Sequence, residues 1–316
     1  MNTLQWNGEF ATYRLNDITG KILDLLPSQR ESSIRKQRND FHLDIENIFL
    51  GDPHRAWELL LHKTAEGQLL RPKDVQEQTR DGLTKAFGNI DLLKSFERYY
   101  PLNVRVHHNL PISMDTSDGR GTTYGYVVEG NAEVFSNRQK MPRAINSGGF
   151  FALNGFVDIA GHDASVVMIK REGDTVHDSV GKAEDAKWMK YIDDCDDAKL
   201  VEPGKKGSPC TNLLIVHPNT KQTAHVHPSD RVGVILNGSA TCSTFGPLEL
   251  ESPFGEWREH PMRKGDLFLL PAGKLHKFTT GKDPLTVFTF HPDSYDDENP
   301  MLGGTIRNMD DLQWLQ

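Results

Sequence analysis

The sequence predicts a mainly β protein: two strand-rich blocks in tandem, preceded by a helical N-terminal segment. Three observations predict it. Apolar residues at helical spacing are confined to residues 1–100. From Pro101 onward, short β-branched and aromatic runs alternate with Gly, Asn and Asp turns, as in a sandwich or small barrel. That second texture occurs twice, on either side of an acidic stretch, which is the signature of an internal duplication.

In chain order, helices are expected at Ser32–Leu50 (Ile34, Phe41, Ile45 and Phe49 on one side), Arg55–Lys63, Pro72–Ala86 and Asp91–Tyr99. The first β block, residues 101–172, offers strands at Leu102–His107, Thr122–Val128, Ala132–Phe135, Gly149–Leu153 and Ala164–Ile169. Residues 173–210 read as a solvated helix-and-loop connector carrying Asp185, Asp193, Asp194, Asp196 and Asp197. They lack the alternating acids and Gly of a calcium loop. The second block, residues 211–316, offers Leu213–Val216, Val232–Leu236, Ala240–Thr244, Asp266–Leu270, His276–Thr279 and Leu285–Phe290.

Composition narrows the function. Over 316 residues, 36 Lys and Arg stand against 44 Asp and Glu, a net charge of −8, and no basic helix is seen. A nucleic-acid partner is therefore not expected. No apolar run reaches the roughly 20 residues that cross a bilayer, and MNTLQWNGEF lacks a secretory pattern, so a cytoplasmic protein without a membrane partner is expected. Cys195, Cys210 and Cys242 form neither a disulfide framework nor a CxxC site.

The chemistry concentrates in the second block. In an extended segment, residues two apart share a face, so His225 and His227 can present both imidazoles to one ion. Downstream, the apolar run Asp266–Leu270 meets a turn at Pro271 and Gly273, and His276 opens the next strand. Antiparallel pairing can bring it beside the first two. Three imidazoles with open positions suit Fe, Ni, Cu, Mn or Zn.

These segments resemble the paired motifs of the cupin superfamily. The first motif runs Gly, five residues, HxH, three or four residues, Glu, six residues, Gly. Here Asn219 stands at the opening Gly, His225-Val226-His227 is the HxH, and Gly238 closes it. The second, Gly, five residues, Pro, any residue, Gly, two residues, His, is matched by Gly265, Pro271, Gly273 and His276. The resemblance covers about Thr211–Pro292. It implies two double-stranded β-helix (cupin) barrels in tandem and a divalent transition metal held by His225, His227 and His276, with iron(II) ahead of Ni, Mn, Cu or Zn.

The usual ligand Glu falls at Arg231, and a guanidinium has no lone pair to give a metal. Arg231 is thus expected either to clamp a substrate carboxylate or to pair with a neighbouring acid. The resemblance to three-His cupins, among them thiol, gentisate-like and β-diketone dioxygenases, implies an oxygenase of a small, anionic metabolite. The alternatives are a cupin lyase or isomerase and a non-catalytic ligand-binding cupin. Phe245, Trp257, Phe268 and Phe278 are candidates for the cavity wall, while His260 and His291 read as core or surface and His217 as separated from the motif by a turn.

Laying Gly130 on Gly238 and Gly125 on Gly233 places Ser117, Gly119 and Thr123 where His225, His227 and Arg231 stand; Gly148 on Gly265 places Ile159 at His276. The first barrel is therefore expected to lack ligands, unless His107, His108 and His162 rebuild a site. Two barrels in one chain allow a monomer, and the family a homodimer.

Overall fold

A computed structural model describes residues 3–6, 10–25, 102–108, 112–114, 121–138, 141–172, 176–204, 208–223, 225, 227, 229–247, 255–271, 274 and 276–292. The four expected helices, from Ser32 to Tyr99, lie outside the described residues.

The N-terminal residues that are described correct part of the helical expectation. They form β1 (Thr3–Gln5), β2 (Ala11–Arg14), one helical turn, α1 (Leu15–Ile18), and β3 (Ile22–Leu25). These segments are too short for periodicity to separate strand from helix, and their partners are distant in sequence. The first block supplies β4 (Leu102–His108), β5 (Ile112–Met114), β6 (Gly121–Ser136), β7 (Arg143–Asn146), β8 (Gly149–Asn154) and β9 (Val157–Glu172). The stretch read as a connector is strand-bearing too: β10 (Ser179–Lys182), β11 (Trp188–Lys190) and β12 (Asp196–Val201), separated by two 3₁₀ turns. The second block supplies β13 (Cys210–Val216), β14 (Arg231–Asn237), β15 (Ser239–Pro247), β16 (Gly255–Arg263), β17 (Asp266–Leu270), β18 (His276–Thr280) and β19 (Leu285–His291).

One sheet runs β1-β3-β4-β9-β6-β8-β10, with β5 on β9 and β7 on β6; a second runs β11-β12-β13-β19-β14-β17-β2; a third is β16-β15-β18. The duplication is visible bond by bond. Ser147 N and Gly148 N donate to Gly130 O and Val127 O, as Lys264 N and Gly265 N donate to Gly238 O and Ile235 O. Gly125 lies opposite Phe151 and Gly233 opposite Phe268, each leaving room for the facing ring that any Cβ would strike.

The repeat also reaches into both stretches that had been set apart as helix and connector. β2 pairs with β17, and Leu15 N donates to Gly265 O; β10 pairs with β8, and Ala183 N donates to Gly148 O. Each barrel thus completes its sheet with a strand from outside its own block. β3 against β4 corresponds to β12 against β13. Leu25 and Leu102, paired in space, are thus separated in sequence by residues 26–101, where β12 and β13 of the second barrel are separated by residues 202–209.

Three apolar clusters follow from strand alternation. One fills the first barrel (Val127, Phe151, Leu153, Met168). Another fills the second (Leu214, Ile235, Phe268, Val287). The third is the seam between them, where Tyr124 meets Phe290 and Tyr126 meets Phe288 at ring separations of 5.0 and 4.9 Å.

Candidate metal centre

The histidine-bearing loop is held by backbone bonds rather than by a continuous strand. Asn219, at the family's Gly position, takes φ 59°, a left-handed conformation that Asn tolerates. Gln222 N then donates to Phe278 O, and His225 and His276 exchange backbone hydrogen bonds of 3.0 Å in both directions. His276 opens β18, so the pairing carries its ring to His225.

The structure brings His225, His227 and His276 together. One ring nitrogen from each lies within 4.8 Å of the others, and all three residues are buried. Ring centroids are 5.0 Å (His225–His227), 4.3 Å (His225–His276) and 5.0 Å (His227–His276) apart. Among the described residues, this is the one such group of potential ligands.

Thr223 O accepts from His225 Nδ1 at 2.9 Å, and Lys274 O accepts from His276 Nδ1 at 3.0 Å. Those bonds fix the tautomer and leave each Nε2 lone pair for an ion. Burial depresses the pKa of all three, those of His227 and His276 well below the ordinary value; the Arg231 charge adds to it in all three, and neighbouring imidazoles add to it at His227 and His276. Neutral imidazoles are the metal-binding form. The donor set thus fits a divalent transition ion of borderline softness.

Arg231 opens β14 and is 2% exposed. Its neighbour Val232 packs in the seam, whereas Ile235, of Arg231's own parity, packs inside the second barrel, so Arg231 faces inward. Nη1 donates to Ser229 O (2.9 Å), Ser229 Oγ (2.6 Å) and Asp230 O (3.2 Å), anchoring the guanidinium to its own loop.

His291 is a site residue that the motif reading places elsewhere. It is buried at the end of β19, with its ring 6.3 Å from that of His227. Parity could have found it, since Val287 faces the barrel and His291 lies four residues on. Asp197 is also buried, where a solvated connector was expected. It alternates with Ala198 of the seam, and Asn212 Nδ2 donates to its Oδ2 at 2.8 Å. Burial pushes its pKa up to about 7, opposed by that bond, the Ala198 N–H and Lys199.

Among the other candidates, His217 bonds Asp196 at 2.9 Å on the surface, and His260 bonds Thr244 Oγ1 at 3.0 Å beside Phe10. Phe268 and Phe278 fill the barrel core, and Trp257 lies under Lys277. The Phe245 side chain lies outside the described part.

In the first barrel, pairing shifts the expected correspondence. Thr244 faces His276 as Ser136 faces Val157, and His225 faces His276 as Met114 faces Val157. Met114 and Val157, rather than Ser117 and Ile159, thus occupy the positions of His225 and His276. Val157 stands 9 positions after Gly148 where His276 stands 11 after Gly265, and Gly125 stands 11 after Met114 where Gly233 stands 8 after His225, so an ungapped overlay misplaces both positions. His107 is buried and His108 exposed on β4, and neither joins a ligand group among the described residues; the His162 side chain lies outside the described part.

No family model matches the chain, and no curated protein matches it. Among solved structures it is similar to a cupin 2 conserved barrel domain protein from Leptotrichia buccalis, at 16% identity over 60% of this chain and 82% of that one, TM-score 0.43. It is similar also to the oxalate decarboxylase formate complex of Lactobacillus farciminis, at 12% identity over 62% and 78%, TM-score 0.46. A third is a putative glyoxylate-induced protein of Pseudomonas aeruginosa, at 14% identity over 60% and 73%, TM-score 0.47. Likeness at this level carries no activity across. The repeated strand order and the inward-facing histidines define the architecture: this chain has a cupin-like double-barrel fold. Among the described residues no helix is long and apolar enough to cross a membrane.

Proposed function

We propose that the protein is a metal-dependent enzyme acting on a small carboxylate, and that the metal is iron(II) used with O₂ in an oxygenase reaction. The observation that carries the proposal is the pairing of an all-imidazole, neutral triad with a buried, inward-facing cation at Arg231. His225, His227 and His276 would hold the ion, and Arg231 would take the substrate carboxylate by a charge-assisted hydrogen bond. When bound, the ion would supply redox or Lewis-acid chemistry. The residues do the rest: backbone carbonyls of Thr223 and Lys274 hold two imidazoles in aim. Ser229 and Asp230 hold the guanidinium, and the apolar barrel keeps bulk water from the centre.

A second reading, a lyase or isomerase, is favoured by Asp197, a buried carboxyl that can give and take a proton near neutral pH. Anaerobic purification with metal analysis, followed by oxygen uptake with a panel of small carboxylic acids, separates the two. Stoichiometric iron and substrate-dependent uptake are expected. Turnover without oxygen on Zn(II) or Mn(II) would replace the first reading by the second. Arg231→Gln is expected to raise KM for the acid about tenfold or more, as the loss of about 1.5–3 kcal/mol from a charged hydrogen bond requires. An unchanged KM removes the clamp.

A further inference from the structure

We propose that His107, in the first barrel, is an acid-sensitive release point: a charge on its ring opens the end of β4 and frees the N-terminal strap, Ala11–Leu25, that completes the second barrel.

The ring is buried without a partner. His107 is 0% exposed, and neither Nδ1 nor Nε2 has a hydrogen-bond partner. His107 pairs with Val166 of the first barrel's core, while its neighbour Val106 lies in the seam. Paired residues share a face, so the ring points into the first barrel. The register shows what surrounds it. His107, Val166 and Val127 form one row of the first barrel, as Leu214, Val287 and Ile235 form one row of the second. One repeat has an imidazole where the other has a leucine, with apolar neighbours in both. A neutral ring left unbonded there costs little beside a charged one, whose two N–H groups meet neither water nor an acceptor.

Among the described residues no acid stands by to receive that charge. The inward-facing residues in and next to the row are Val127, Phe151, Val166 and Met168. Lys170, also inward on β9, lies four residues away, paired with Asn103. Ile112, Ser113 and Met114 of β5 bring no titratable group. On the adjoining segments the charged or titratable groups are Arg105 and His108 of β4, Lys21 after α1, and Asp24 of β3, whose charge acts on Arg105. Burial lowers the His107 pKa, and His108 lowers it further. Its folded value thus lies below the ordinary 6.5, so the opened chain binds the extra proton. The stability is whole above 6.5 and is lost as pH falls from there towards the folded pKa.

The strap is fastened to the residue beside this ring. Thr19 bridges Val106, and Gly20 N donates to Val106 O at 3.2 Å. On one side of that contact β3 pairs with β4; on the other, α1 leads back to β2, which pairs with β17. β17 in turn leads through the Pro271 turn to His276. When the end of β4 lifts from β9 and His107 meets water, the Val106 contacts are broken with it. Acid thereby reaches the second barrel by way of the first.

Hydrogen exchange of the full-length, metal-free protein at pH 7.5 and 5.5, corrected for the intrinsic rate at each pH, reads this opening. In the wild type, opening of residues 11–25 and 102–108 is expected to rise on acidification about tenfold more than in His107→Leu, which copies Leu214. That is the factor given by one proton taken up with an open-state pKa of 6.5 over this interval. Asp197 and the triad titrate in both proteins, so the comparison isolates His107. If His107→Leu does not fold, as judged by circular dichroism, His107→Met takes its place, an unbranched side chain that fits irregular space. A rise of equal size in wild type and variant, or wild-type opening that does not rise, overturns the release point.

Discussion

In the second barrel, the same desolvation keeps His225, His227 and His276 neutral and holds a proton on Asp197 up to about pH 7. For Asp197 the consequence for stability has a definite sign. Its folded pKa lies above the ordinary value of 3.8. Its contribution is therefore complete at acid pH and is lost as pH rises through the window from about 4 to 7. A shift of this size caps the loss at roughly 4 kcal/mol. Urea unfolding of the metal-free protein at pH 4.5 and 8 should show Asp197→Asn gaining on the wild type as pH rises. Parallel pH dependence in the two proteins would remove this account of Asp197. At this scale the triad and Arg231 were legible, because motif spacing marks them directly. Asp197 and His291 were not: a single Asp in an acidic run and a His at a strand end look solvated until partner strands cover them.

At the scale of the element, turns carry the duplication. Gly130 and Gly238 take φ 74° and 77°, and a Cβ on either would strike a backbone carbonyl, that of Asp163 or Pro284. Gly238→Ala is expected to cost about 2–4 kcal/mol, from left-handed strain plus a clash that backbone cannot relieve. Gly281→Ala, with nothing within 4 Å, should change little. Equal urea midpoints for the two variants would contradict this. The long interior strands could be read from the sequence because they are apolar on one or both faces; Asp266–Leu270 has the same ends in sequence and structure. The short strands β2, β10, β11 and β12 could not. They are three to six residues long, and partners outside their own segments decide the state of β2, β10 and β12, with β11 added at the edge of β12.

For the whole molecule, the borrowed strands matter most. β2 completes the second barrel from the far end of the chain, and Tyr124, Tyr126, Phe288 and Phe290 close the seam. The two barrels are expected to unfold as one calorimetric transition. A fragment of residues 176–316, stripped of β2 and of the first barrel's seam, should aggregate or self-associate on size exclusion. A monomeric, folded fragment would show the barrels to be independent. That there are two barrels was legible from repeated texture, whereas their mutual dependence was not, since it lies in contacts between residues more than 160 positions apart.

The exchange of β2 and β10 also bears on why only one triad is present among the described residues. Two halves that each lend a strand to the other have the arrangement of a strand-exchanged dimer joined into one polypeptide. Identical subunits are bound by symmetry: both carry a given site or neither does. Joined in one chain, the halves are released from that rule. One can keep its histidines, while the other places Met114 and Val157 at two of the matching positions and still supplies the strand and the wall that its neighbour cannot make alone.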